Sequence, residues 1–354
     1  MADTELPEYS PRPIQPRLTD TNPFKCQHKL HLENNKGRVW ITLLINSRSQ
    51  NPSNMPLFFD QDVISGEVHL DLDRPENIKG LTITLSAGTT AVGQEEELFL
   101  NETSPLWSPH SSSKISGTHT WPFSITIPAE TSLSLSNKTA STRYPLPPSF
   151  SERASPAYID YKLTVTIRRG AFRVNQTLST SFVHLPRSVA EPPSALRALA
   201  YREGTPLLAP EVDPDGWKVL PAKNITGTLF AARSPEVRCT LAIATPVTYA
   251  SDSPVPLILT FQSTDAQALD LLASKPSVEL IRIVAIGSGA SDEAVPRRSN
   301  NTFYSTIARA AFFPSEDIGK TGKITLQGEL HVPKGIKSSF TFPRLSLKVR
   351  ISFE

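Results

Sequence analysis

Few groups of residues in this sequence have both the side-chain types and the spacing that catalysis requires. Cys26, His28 and His31 are metal-ligating types that lie close together in the chain. Because successive residues of a strand point to opposite faces, Cys26 and His28 would share one face and His31 would lie on the other. The two cysteines, Cys26 and Cys239, cannot by themselves supply a disulfide framework or a zinc site. We therefore expect no metal centre.

Nucleotide and hydrolase chemistry are equally poorly supported. Gly319-Lys320-Thr321 resembles the end of a phosphate-binding loop, but such a loop requires a glycine five residues before it, where this chain has Pro314. The sequence also lacks the Gly-x-Ser-x-Gly elbow of serine hydrolases and the His-Glu-x-x-His pair of metalloproteases. We expect neither an enzyme nor a cofactor.

A basic turn is the next candidate for a binding site. Arg168, Arg169 and Arg173 cluster where the pattern predicts a hairpin. Arginine forks match carboxylate and phosphate oxygens, so this turn could dock an acidic tail, a phosphorylated peptide or an anionic lipid headgroup. The alternative is that a solvated turn simply collects arginines.

Composition restricts both the partners and the fold. The 36 Lys and Arg residues against 34 Asp and Glu residues leave a net charge of +2, which argues against wholesale nucleic-acid binding. The 354 residues include 32 prolines and only 16 glycines. Proline interrupts helices and central strands, so we expect short strands, edges and turns.

Alternation of apolar and polar residues predicts strands with one buried and one wet face. The alternating apolar sets are Val68, Leu70, Leu72; Leu81, Ile83, Leu85; Phe123, Ile125, Ile127; Ile159 to Ile167; and Leu345 to Phe353. Only Asp265 to Ala273 has a helix-like pattern. The fold class predicted is all-β, with two tandem Ig-like antiparallel β-sandwich domains.

The domain organisation follows from the prolines. Residues 1–24 are proline-rich and poor in large aliphatic side chains, which predicts a disordered tail that favours polyproline II. Residues 25–185 then form the first sandwich, and residues 223–354 form the second. Residues 186–222 hold several prolines without sustained alternation and are interpreted as the linker.

The first sandwich resembles an arrestin N-terminal domain through five segments in the family's order. They are Ile64 to Leu70, Ile78 to Leu85, Gly117 to Pro128, the Leu146-Pro147-Pro148-Ser149-Phe150 motif, and Tyr158 to Leu163. The second sandwich resembles an arrestin C-terminal domain through Ser253 to Leu259 and Phe342 to Val349. The resemblance implies arrestin-like N and C domains.

Among arrestins, the chain is most similar to the α-arrestins, the arrestin-related trafficking adaptors of fungi and animals, and we expect a fungal member. No counterpart of the charged polar core of receptor-coupled arrestins is evident in the sequence. The resemblance therefore does not carry phosphate-triggered activation over to this chain.

The tail contains one motif with a binding mechanism. Leu6-Pro7-Glu8-Tyr9 is a variant of the PPxY sequence through which α-arrestins recruit WW domains of HECT-type ubiquitin ligases. A polyproline II helix has three residues per turn, so Leu6 and Tyr9 share one face while Pro7 sets the backbone. Ser10, which precedes Pro11, is a candidate phosphosite that would tune this dock.

The resemblance and the tail together imply a non-catalytic adaptor that links a membrane transporter or receptor to a HECT-type ligase for ubiquitination and endocytosis. The alternative is a retromer-like arrestin-fold coat or sorting subunit that acts without a ligase. No secretory signal and no apolar run of about 18 residues is visible. We expect a cytoplasmic protein recruited to the plasma membrane or endosomes, with peripheral membrane association.

Overall fold

The computed structural model describes residues 24–109, 114–133, 141–152, 155–170, 173–292, 301–314 and 322–353. Within these ranges the chain is mostly β-structure with two short α-helices. The strands of the first half are β1 (Cys26–Glu33), β2 (Val39–Ser47), β3 (Leu57–Phe59), β4 (Val63–Glu76), β5 (Ile78–Ala91), β6 (Glu97–Trp107), β7 (Ile115–Thr126), β8 (Glu130–Leu133), β9 (Thr142–Pro145), β10 (Ala157–Arg169) and β11 (Gln176–Leu185).

The second half begins with helix α1 (Ala195–Glu203). Its remaining elements are β12 (Trp217–Val219), β13 (Lys223–Thr226), β14 (Glu236–Ala244), β15 (Pro254–Gln262), α2 (Ala266–Ser274), β16 (Val278–Gly287), β17 (Thr302–Arg309), β18 (Ala311–Pro314), β19 (Lys323–His331), β20 (Phe340–Phe342) and β21 (Arg344–Phe353). The predicted helix near residues 265–273 is confirmed as α2, whose N-cap Asp265 accepts the Ala268 N–H through Oδ1 at 3.1 Å.

Three sheets form from the described residues of the first half, and the smallest is the antiparallel pair β8-β9. A four-stranded sheet has the order β1-β2-β4-β7, and a five-stranded sheet has the order β3-β11-β10-β5-β6. The alternation predicted for β10 is confirmed, because Ile159, Tyr161, Leu163 and Val165 are all at most 1% exposed. One side of each strand thus enters the core while the other side meets solvent.

Two further sheets form from the second half. A six-stranded sheet has the order β12-β14-β15-β19-β18 with β13 paired to β14, and a four-stranded sheet has the order β17-β16-β21-β20. Leu241 and Leu257 of the first of these sheets share one core with Val278 and Leu280 of the second. Apolar faces packed in this way define a β-sandwich, so the predicted all-β fold with antiparallel sandwiches is confirmed.

The chain divides into two compact units. One comprises Met1–Leu85, Glu102–Ile127 and Lys162–Val183, and the other comprises Ser86–Asn101, Pro128–Tyr161 and His184–Glu354. Strands β5, β6 and β10 each have residues in both units, so the units do not coincide with the pairs of sheets. The limits assigned from the sequence to the tail, the two sandwiches and the linker stay a prediction.

Helix α1 corrects the expectation of a single helix. It lies within residues 186–222. The high proline content of this segment concealed a short helical stretch that has both an N-cap and a C-cap residue. The Ser194 Oγ accepts the Arg197 N–H at 3.2 Å as the N-cap, and Gly204 ends the helix in the left-handed conformation with φ of 66°. Proline-rich flanks therefore enclose a capped helix rather than excluding one.

The segment that contains α1 docks on a sheet through a buried cation. Arg197 is only 6% exposed and donates to the Gly216 carbonyl at 3.2 Å and to the Thr245 carbonyl. Trp217 packs on Ala242 and Ile258, which belong to a face of the six-stranded sheet different from that of Leu241 and Leu257. Because both faces of β14 and β15 are covered here, these strands are apolar on both sides.

We predict that Arg197→Met lowers the free energy of unfolding by about 2 kcal/mol. The buried carbonyls of Gly216 and Thr245 would lose a charged donor, and such bonds contribute roughly 1.5–3 kcal/mol. Urea unfolding measures the change. Arg202→Met, in the exposed last turn of the same helix, is the matched control and should change stability by less than about 1 kcal/mol. Equal effects of both variants would contradict the docking role.

Candidate functional site

Several of the residues assigned from the sequence lie outside the described ranges. They are the docking motif residues Leu6, Pro7 and Tyr9 and the candidate phosphosite Ser10; Gly319-Lys320-Thr321, where we expect no phosphate loop, also lies outside the described ranges. Their roles stay predictions. The basic turn is different, because all three of its arginines are described.

Arg169 is the arginine of this turn that the protein itself uses. It ends β10, and its guanidinium lies 4.8 Å from the ring centre of Trp40 on β2. The Arg169 Nη2 also approaches the Glu76 carboxylate at 3.4 Å, and the backbone N–H of Arg169 donates to the Asn175 Oδ1 at 3.1 Å. A half-buried arginine held by a ring and a carboxylate fixes local structure.

The three arginines do not converge on one point. Arg173 Nη1 lies 3.8 Å from the same Glu76 carboxylate, so Arg169 and Arg173 share one acid. Arg168 instead lies over Gly80, where an added Cβ would come within 2.9 Å of its Nη2. Because Gly80 has no side chain, there is room for the Arg168 guanidinium at this position.

This geometry limits which arginines could hold an anion. Arg173 has an exposed side chain and Arg168 is exposed, whereas the Arg169 side chain is mostly buried. An incoming carboxylate or phosphate would compete with Glu76 for Arg173 and would have to reach Arg168 separately. The assignment of the turn to an acidic or phosphorylated partner stays a prediction.

Strand β1 places His31 on the face opposite Cys26 and His28, as predicted. His28 is buried and its Nε2 lies 2.8 Å from the Ser47 Oγ, while His31 is exposed beside Glu33. Burial lowers the pKa of His28, and a backbone hydrogen bond at Pro52 partly opposes this. Among the described residues, no group of three or more His, Cys, Asp or Glu side chains could hold a metal ion.

The Cys239 thiol is a core side chain. It is 1% exposed among the apolar residues of the second sandwich, and this burial raises its pKa to about 11, with the Lys223 charge opposing the shift. A thiol with that pKa is almost entirely protonated at neutral pH, so it is a poor nucleophile.

The Leu146 to Phe150 motif has a structural role within the second compact unit. Pro147 presents its carbonyl to the Tyr161 hydroxyl at 2.6 Å, and Phe150 is fully buried. Lys337 lies with its Nζ 4.7 Å from the Phe150 ring centre and donates to the Ser149 carbonyl at 3.4 Å. The motif thus orders its own turn and supports a lysine side chain.

The charges around Lys337 are arranged in a small cluster. Arg282 Nη1 lies 2.6 Å from the Glu152 carboxylate. Burial is the main cause that lowers the pKa of Lys337; Glu152 opposes this shift and Arg282 adds to it. The cluster is half-buried, and its members come from distant parts of the sequence, so no sequence pattern indicated it.

A second polar surface was missed from the sequence for the same reason. Asn224, Arg238, Gln262 and Lys323, hereafter the Arg238 row, are aligned by the strand register of the six-stranded sheet. Each residue lies on a different strand, and no local motif links them. Only knowledge of the register could have identified this row.

No helix in the described part of the chain is long and apolar enough to cross a membrane.

Comparison with known families supports the arrestin resemblance. Residues 89–187 match the family described as Arrestin (or S-antigen), N-terminal domain. The match spans somewhat more than a quarter of the chain and includes three of the five segments noted in the sequence. Together with the antiparallel β-architecture, it indicates an arrestin-fold protein, a type associated with adaptor roles in trafficking. Comparison with curated proteins finds no match.

The lowered pKa of His28 predicts a pH dependence of stability. Unfolded His28 would titrate at its ordinary pKa of 6.5, so the unfolded state binds more protons and the free energy of unfolding falls as the pH drops below about 7. His28→Gln removes this proton site and should flatten the fall between pH 7 and pH 5. The exposed His31→Gln is the control, and chemical unfolding across this pH range measures both. An unchanged pH profile in His28→Gln would contradict the assignment.

Burial of Cys239 predicts selective thiol labelling. In the native protein, a thiol reagent should react promptly with the partly exposed Cys26 and with Cys239 only after unfolding. Cys26→Ser should therefore abolish the fast phase of labelling, and Cys239→Ser should retain it. Fast native labelling of Cys26→Ser would show that the Cys239 site opens readily.

Proposed function

We propose that this protein is a non-catalytic adaptor of the α-arrestin type, which links a membrane transporter or receptor to a HECT-type ubiquitin ligase. The observation that carries the proposal is the match of residues 89–187 to the arrestin N-terminal domain in a chain of antiparallel sheets. The body recognises the cargo, and the tail brings the ligase. The outcome is cargo ubiquitination followed by endocytosis.

The buried thiol and the dispersed histidines support a role without chemistry of its own. Cys239 is protonated in the core, and His28 is hydrogen-bonded to Ser47. His28, Ser47 and Cys239 are all buried, so none of them is open to a substrate in this structure. A binding function needs only surfaces, which sandwich sheets and loops provide in abundance.

Leu6-Pro7-Glu8-Tyr9 is the ligase dock in this proposal. In polyproline II geometry Leu6 and Tyr9 lie three residues apart on one face, and a WW groove lined by aromatic side chains receives both. Pro7 restricts the backbone beforehand and so lowers the entropy that binding must overcome. Phosphorylation of Ser10 would add negative charge directly after Tyr9 and tune the affinity.

A single such contact is weak. A dissociation constant of tens of micromolar corresponds to about −6 kcal/mol. Productive recruitment therefore requires a second contact or a high local concentration at a membrane. The protein acts at the plasma membrane or endosomes, where cargo and ligase are both concentrated. The exposed Arg168 and Arg173 are suited to assist there by binding acidic or phosphorylated groups.

The test compares two prolines of the same tail. We expect Pro7→Ala and Tyr9→Ala each to weaken the binding of WW domains to the full chain at least about tenfold. Tyr9→Ala removes a side chain that the groove binds, and Pro7→Ala removes the restraint on the backbone. Pro13→Ala is the matched control and should leave binding unchanged. Isothermal titration with a panel of WW domains from HECT-type ligases provides the measurement.

Equal WW binding by the parent chain, Pro7→Ala and Tyr9→Ala would contradict ligase docking through this motif. If deletion of residues 1–23 also left the copurifying partners unchanged, the coat or sorting-subunit alternative would explain the arrestin fold better.

A further inference from the structure

The described residues cover the outer face of the six-stranded sheet only in part. At its apolar end, Trp217 of the edge strand β12 lies opposite Ala244, and its side chain packs with those of Ala242 and Ile258, with Leu207 against them. Further along the strands, the same face carries a row of Thr240, Thr260 and Thr325 and then the Arg238 row. The face therefore changes along its length from apolar to hydroxyl-bearing to cationic, and Leu207 packs against its apolar end.

The register places the Arg238 row on one side of the sheet. Asn224 lies opposite Arg238, Arg238 opposite Gln262, and Gln262 opposite Lys323. Residues directly opposite each other on neighbouring strands point to the same face, so the four side chains form a line across β13, β14, β15 and β19. The alternate residues of these strands contribute to the core.

The cations of this row are available to a ligand. Arg238 is exposed, and the described residues offer its guanidinium no hydrogen-bond or ion-pair partner. The nearby Glu236 already accepts a hydrogen bond from the Asn224 amide at 2.7 Å. Lys323 Nζ lies 3.9 Å from Glu211, whose side chain is 72% exposed. Such a loose surface pair contributes little, so a ligand carboxylate can replace Glu211.

The row borders a shallow, open depression. It has a volume of about 590 Å³, lies over the first three residues of the row, and is also lined by Ala222, Glu236, Ser263 and Thr264. Ser263 and Thr264 directly precede helix α2 and its N-cap Asp265.

The spacing of the two cations selects the shape of the peptide. Arg238 and Lys323 are two strands apart, which is about 9.6 Å for ordinary strand spacing. In polyproline II, residues i and i+3 lie on the same face about 9.3 Å apart. In a β-strand, by contrast, residues i and i+3 point to opposite faces.

We propose that the Arg238 row binds an extended acidic segment of a partner protein, in polyproline II conformation, that carries carboxylates three residues apart. The two carboxylates pair with Arg238 and Lys323. The Gln262 amide between them and the threonine hydroxyls beside it bind the peptide backbone. This site lies on the six-stranded sheet and does not depend on the tail motif or on ligase recruitment.

The test uses a peptide with fluorescein on its N-terminus, fluorescein-Gly-Pro-Glu-Pro-Pro-Glu-Pro-Gly-amide, with the full-length protein and fluorescence anisotropy. The register control has the same composition with its two glutamates adjacent. We expect the spaced peptide to bind more tightly than the control, and more weakly as salt is raised. Arg238→Gln and Lys323→Gln should each weaken binding about fivefold. Arg309→Gln, an exposed paired arginine on β17, should not.

A charge swap makes the result independent of small stability effects. The double variant Arg238→Glu, Lys323→Glu should lose the glutamate peptide and gain a peptide with lysines at the same two positions. Failure of the spaced peptide to bind, or equal binding of both registers, would overturn the proposal. So would binding of phosphatidylserine vesicles that is lost in the double variant, because the face would then be a membrane contact. Tyr9→Ala should leave peptide binding intact.

Discussion

The fold depends on the burial of one side of every sheet. In β10, residues from Ile159 to Ile167 alternate between the core and solvent, and the buried members are at most 1% exposed. Apolar burial on this scale is the main favourable contribution to folding. Because the apolar sides are committed to the cores, outward-facing side chains and turns are left to form the binding surfaces.

The outer face of the six-stranded sheet departs from this pattern, because one end of it is also apolar. The segment that follows α1 buries Trp217 on Ala242 and Ile258, and Arg197 fixes α1 through the carbonyls of Gly216 and Thr245. Trp217 belongs to the edge strand β12 of this sheet and, with Leu207 packed against it, makes one end of the face apolar, while the other end carries the polar Arg238 row. A stretch that looks like a simple linker in the sequence thus supplies an edge strand and apolar packing to the sheet.

The arginines of the basic turn illustrate how neighbours in sequence can differ in role. Arg169 packs on Trp40 and pairs with Glu76, whereas Arg168 lies over Gly80 and Arg173 is largely exposed. A cluster of like residues in sequence predicts an electrostatic site, but a strand places consecutive side chains on opposite faces. Their partners across the sandwich then decide which charges are available.

The sequence by itself determined the strand alternation, the all-β class, the helix at Asp265 and the arrestin resemblance, because each is encoded in residues that are near neighbours in the chain. It missed α1, since prolines beside a capped helix suggest a linker. It could not predict the Arg238 row or the cluster of Lys337, Arg282 and Glu152. These arise from strand register and long-range packing, which bring together residues whose positions in the sequence have no fixed spacing, and only the tertiary structure decided them.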